Sequence, residues 1–107
     1  MAREKFQTLT EQMFYILLCL RRELCGTDIM TRVSQLTQGR VSVGPGTLYN
    51  LLESFVQAGY IAETKVEGRK RSYLITEAGR AALEEEYRRI QTLAADYRRF
   101  TPGGGAE

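Results

Sequence analysis

Apolar positions along the chain fall into five stretches of distinct period, and their spacing predicts the elements. Met13, Ile16, Leu17, Leu20 and Leu24 form a helical stripe, with Phe14 and Leu18 on a second side. Thr8-Leu9-Thr10-Glu11 has the form of a capping box, which predicts a first helix from near Thr8 to Cys25-Gly26. Ile29, Val33 and Leu36 mark a second helix, capped by Thr27 or Asp28 and ending near Gln38-Gly39; Arg40 to Val43 link it to the next. Gly44-Pro45 opens a third helix with the apolar face Leu48, Leu51, Leu52, Phe55 and Val56, and Gly59 supplies its left-handed cap. From Ile61 to Ile75 the period falls to two, predicting a hairpin turned at Glu67-Gly68-Arg69. A last helix, capped by Thr76, runs to about Phe100, with Leu83, Tyr87, Ile90, Ala94 and Tyr97 in 4-3-4-3 spacing and Leu93 broadening the seam. The order predicts a mainly α chain with a small β-hairpin: a winged helix-turn-helix over residues 1–75 (1–7 a polar lead-in), a dimerisation helix over 76–100, and a flexible tail over 101–107.

The polar positions say what such a fold would touch. The outer face of the third helix carries Thr47, Tyr49, Asn50 and Ser54, short hydrogen-bonding groups and a phenol where a solvated face usually carries Lys–Glu pairs. It reads as a recognition helix for the major groove. Asn50 fits a bidentate contact with adenine, or is simply an exposed helical Asn. Tyr49 either reaches a phosphate or sugar edge or closes the core. Behind this helix the hairpin carries Lys65, Arg69, Lys70 and Arg71 against Glu63 and Glu67, and is the natural phosphate-binding wing. Arg40, before the helix, is either a further phosphate contact or a solvated loop arginine.

A single helix of about 24 residues is about 36 Å long and cannot bury its whole seam on so small a domain. Leu83, Tyr87, Ile90, Leu93, Ala94 and Tyr97, with Phe14 and Leu18 of the first helix, are therefore expected at a homodimer contact. The alternatives are packing within one chain, or a ligand pocket between the two final helices.

Composition narrows the function. The chain has 107 residues, 43% hydrophobic and 26% charged, which suits one folded domain without room for an enclosed catalytic cleft. The net charge is only +2, so the basic hairpin is a local footprint. There is no histidine, and no glycine loop of the phosphate-cradling kind; catalysis, metal and cofactor are not expected. The glutamates Glu84-Glu85-Glu86 read as a solvated face. Cys19 and Cys25 read as reduced thiols of a cytoplasmic protein, with a redox role for Cys25 as the alternative. The apolar run Met13–Leu20 is too short to span a bilayer, and no signal peptide opens the chain.

Leu9-Thr10-Glu11, Gly44-Pro45-Gly46-Thr47-Leu48-Tyr49, Ala58-Gly59-Tyr60-Ile61, the wing Gly68-Arg69-Lys70-Arg71-Ser72-Tyr73 and Leu74-Ile75-Thr76-Glu77-Ala78-Gly79 together resemble the PadR family of bacterial transcriptional regulators. With one C-terminal helix the chain is similar to the short subfamily. The resemblance implies a homodimeric winged-helix repressor that binds a double-stranded DNA operator through Tyr49 and its neighbours, with its affinity open to change by a small hydrophobic or aromatic effector. The competing reading is a winged-helix module that docks protein instead of DNA. The adjacent cations Arg69, Lys70 and Arg71 favour phosphate.

Overall fold

The computed structural model describes residues 8–101. Helix α1 (Glu11–Cys19) leads to a short strand β1 (Leu24–Cys25), helices α2 (Gly26–Leu36) and α3 (Pro45–Ala58), strands β2 (Ile61–Glu67) and β3 (Lys70–Ile75), and helix α4 (Glu77–Phe100). The sheet is antiparallel with order β1-β3-β2. Ile16, Leu17 and Leu20 from α1 and its cap, Ile29 and Val33 from α2, and Leu48, Leu52 and Phe55 from α3 are the fully buried side chains. Removing each from water contributes about 1.5–3 kcal/mol, and together they fix the three helices around one centre. This is the winged helix-turn-helix that the periodicity predicts, with one strand added.

Helix α3 and the start of α4 follow the local signals closely. Pro45 takes the first helical position after Gly44, and Gly59 ends α3 at φ 81. Thr76 caps α4, accepting from the Gly79 amide at 3.1 Å, and its hydroxyl donates to the Gly59 carbonyl at 2.6 Å. The end of α3 is thereby tied to the start of the last helix. Gly79 sits directly beneath this junction: a methyl there would overlap the Tyr60 carbonyl oxygen.

The first helix departs from expectation at both ends. Its cap is Thr10 and not Thr8: the Thr10 hydroxyl accepts from the Met13 amide, and Met13 Sδ accepts the Thr10 amide in the place where Glu11 was expected to act. It stops at Cys19, because the segment that follows has a competing partner. Leu24 and Cys25 pair with Tyr73 and Ser72 on the open edge of β3, while the Leu20 carbonyl accepts from the Ile75 amide at 2.8 Å. Tertiary pairing overrides the helical propensity of Arg21-Arg22-Glu23. Helix α2 consequently begins two or three residues early, with Cys25 at its cap in place of Thr27 or Asp28. The Cys25 thiol donates to Asp28 at 3.3 Å and lies 3.4 Å from the Thr27 hydroxyl, so the two expected caps bond to the thiol.

Four apolar or acidic positions also lie elsewhere than expected. Leu36, at the last turn of α2, and Val56 are exposed. Glu86 is no part of a solvated face; it is 5% exposed, bonded by Arg89 and by the Leu9 backbone amide. Those two donors hold its carboxyl below the ordinary range, with the Arg89 bond the larger cause and burial opposing it. Leu83 lies in the chain's own core, since the first half of α4 packs on α1. From Tyr87 onward the helix leaves the domain: Tyr87, Ile90, Leu93, Ala94, Tyr97 and Phe100 are exposed, Leu93 by 53% and Tyr97 by 71%. Residues 1–7 and most of 101–107, the expected lead-in and tail, lie outside the described residues.

Candidate nucleic-acid interface

The site is built where three chain segments meet: the first turn of α2, the N-terminal half of α3, and the wing. Thr47 and Asn50 are exposed on α3, Ser54 is half-buried one turn further on, and none makes a side-chain hydrogen bond to another described residue. Leu48, Leu52 and Phe55 hold the opposite side of the helix in the core.

Tyr49 is the side chain that joins the three segments. It is 47% exposed, yet its ring lies across Gly26, the first residue of α2, so closely that a methyl at position 26 would overlap the ring and hydroxyl. Contact at this range requires glycine beneath it. With Arg69, Lys70 and Arg71 of the wing and Thr27 of α2, Tyr49 borders an open cleft of about 410 Å³. The cleft has a phenol, three cations and a helix N-terminus around it, a combination suited to a phosphate oxygen. On its other flank, Tyr49 shares a groove with Leu52, Val56 and Tyr73, which is where the exposed Val56 lies.

The wing's pairing decides which cations are free. Glu67 pairs with Lys70, Val66 with Arg71 and Lys65 with Ser72; a bulge then shifts the register, so that Glu63 pairs with Tyr73. Without the bulge Glu63 would stand opposite Leu74, on the other face from Arg71. With it, Glu63 and Arg71 share a face and form an ion pair at 2.6 Å. The bulged Thr64 donates its hydroxyl to Glu23, tying the base of the wing to the loop after α1. Lys65, Arg69 and Lys70 have no ion-pair partner among the described residues and are exposed. The Tyr73 phenol, beside this pair, is pushed up by burial first and by the Glu63 charge second, with Arg71 opposing.

Arg40 stands apart from this group. It pairs with Glu11 and donates to the Tyr15 hydroxyl at 3.1 Å, lying over the Tyr15 ring. Both partners of the ion pair are more than half exposed, and a pair so placed contributes little. The sequence shows the cations and the polar helix face, and Glu63 and Tyr73 as members of the wing, but not the contacts that bring Gly26, Glu63, Thr64 and Tyr73 into the site. Only the bulge brings Glu63 to Arg71, and nothing in the local sequence announces it.

Among the described residues, no group of three or more His, Cys, Asp or Glu side chains is placed to hold a metal ion, and no helix is long and apolar enough to cross a membrane. No curated protein matches the chain. Solved structures share its fold. One is a transcriptional regulator from Clostridium thermocellum, with 18% identity, 85% of this chain and 92% of that one covered, and a TM-score of 0.72. A PadR family transcriptional regulator from Eggerthella lenta has 20% identity, covers 87% of this chain and 81% of its own, and gives 0.71. RosR of H. salinarum has 22% identity, covers 84% and 94%, and gives 0.63. Identities this low establish the winged-helix fold and no more. The sequence itself matches the transcriptional regulator PadR-like family over residues 16–85, from within α1 to within α4. With that match spanning well over half of its length, the chain belongs to the PadR-like family of transcriptional regulators.

Proposed function

We propose that the protein is a homodimeric, sequence-specific DNA-binding repressor that a small-molecule effector releases from its operator. The observation that carries the DNA part is the junction at Tyr49, where α2, the recognition helix and three wing cations surround one cleft. In this reading Thr47, Asn50 and Ser54 meet base edges, while Tyr49, Lys65, Arg69, Lys70 and Arg71 meet phosphates. Arg40 joins them on exchanging Glu11 for a phosphate. The apolar half of α4 beyond Leu83 supports the dimer: Tyr87, Ile90, Leu93, Ala94, Tyr97 and Phe100 have no cover among the described residues, and a second copy of the helix would supply it, whereas Phe14 and Leu18 are half-buried against the chain's own core. The repressor and effector parts extend what the family implies.

Fluorescence anisotropy with the DNA upstream of the protein's own gene, at several salt concentrations, tests this. Salt-sensitive binding that survives competitor DNA and weakens in Lys70→Ala/Arg71→Ala is the expected result. No binding at low salt would overturn it and leave a protein-docking wing as the better reading.

A further inference from the structure

On the side of the domain formed by the end of α1, the second half of α2 and the first turn of α4, a separate cleft of about 450 Å³ brings together Arg21, Arg22, Arg32 and Arg80. The sequence spreads these arginines over sixty residues, and only the fold assembles them. No carboxylate lines the cleft, and none of the four is in an ion pair among the described residues. Of the acids near them in sequence, Glu23 accepts from Thr64 and Asp28 from Cys25, while Glu77 and Glu84, one turn to either side of Arg80 on α4, do not line the cleft. Four guanidinium groups around one opening repel each other, and a bound anion is the natural relief. Their field is felt inside the fold: burial raises the Cys19 thiol, while Arg32 and then Arg21 pull it down.

The cleft is not only cationic. Leu18 forms part of its wall and the exposed Leu36 another part, which explains why a leucine stands in water at the end of α2. Its volume is in the range of small-molecule sites. It contains no residue of α3 or of the wing, so it is distinct from the face around Tyr49. We infer that this cleft is a binding site for an amphipathic organic anion, whose acidic head meets the arginine forks while its apolar body lies on Leu18 and Leu36. This goes beyond the DNA-binding reading and does not depend on it.

The test uses the full chain and the fluorescent probe 1-anilinonaphthalene-8-sulfonate, with N-phenyl-1-naphthylamine, the same rings without the sulfonate, as the uncharged comparator. Leu93→Asp in every sample suppresses probe bound at the exposed half of α4. Saturable sulfonate binding is expected, weakened about tenfold or more in Arg32→Ala/Arg80→Ala, with the uncharged probe binding no better than in that variant. Arg22→Ala/Arg80→Ala, at two exposed positions, serves if the first variant fails to fold by circular dichroism. Unchanged probe affinity in both variants, or equal affinity for the two probes, would overturn the site. So would the same arginine substitutions, made with Leu93 kept and assayed separately by DNA titration and sedimentation, if they lose only DNA affinity, assigning the arginines to phosphates, or only self-association, assigning them to the partner subunit. Because the titration contains no DNA, failure to bind an operator leaves its result readable.

Discussion

Two glycines that differ only in what lies above them separate function from stability. A methyl at position 26 meets the free end of the Tyr49 side chain, which can swing toward solvent, whereas a methyl at 79 meets the Tyr60 backbone, which cannot. Gly26→Ala should therefore change folding stability by less than about 1 kcal/mol yet weaken operator binding, and Gly79→Ala should cost about 2–3 kcal/mol; urea denaturation beside DNA titration distinguishes them. Glu86 gives a pH dependence. Its folded carboxyl lies below the ordinary value of about 4.3, held there by Arg89 and the Leu9 amide. Its stabilisation is thus complete above that ordinary value and is lost as pH falls through the lower folded one. Glu86→Gln should be less stable than the parent by about 1.5 kcal/mol at neutral pH, and the gap should close in acid denaturation profiles. The sequence could not show either feature. A glycine before a threonine, and the last of three glutamates, look ordinary until packing places a phenol or a backbone amide against them.

At the scale of elements, the wing is the part whose chemistry was legible and whose wiring was not. Its cations and turn could be read directly, since a two-residue loop and alternating strands leave little freedom. Its one ion pair depends on the bulge at Thr64, a register change that alternation cannot forecast. Among the described residues, Arg69 and Lys70 are the cations without an ion pair nearest the tip. Arg69→Ala/Lys70→Ala should lower the slope of log affinity against log salt by about 0.9 for each phosphate contact removed, equally for operator and random DNA. Asn50→Ala should leave that slope in place and narrow the preference for operator over random DNA, read in competition binding. The C-terminal boundary of α1 is hidden for a related reason: Leu24 and Cys25 suit a helix and a strand alike, and the open edge of β3 decides.

For the whole molecule, the exposed half of α4 is the surface that the second copy of the proposed dimer would cover. Leu93→Asp/Tyr97→Asp should give a folded monomer by sedimentation, with DNA affinity reduced because two wings and two recognition helices no longer act together. The heptad spacing predicted this helix to within a residue, while the inward turn of Leu83 depended on how α4 lies against α1. The helix also carries a built-in gauge. Its first half is clamped by Thr76 and Glu86, but beyond Thr92, which still borders a cleft with Thr8 and Leu9, no hydrogen bond or ion pair among the described residues ties it to the rest of the domain. A free helical stretch that short is marginal in water. Amide hydrogens of residues 93–100 should then exchange quickly in dilute protein and slowly in concentrated protein, while those of α3 change little. Exchange at one end of one helix would report how many of these molecules have found a second copy.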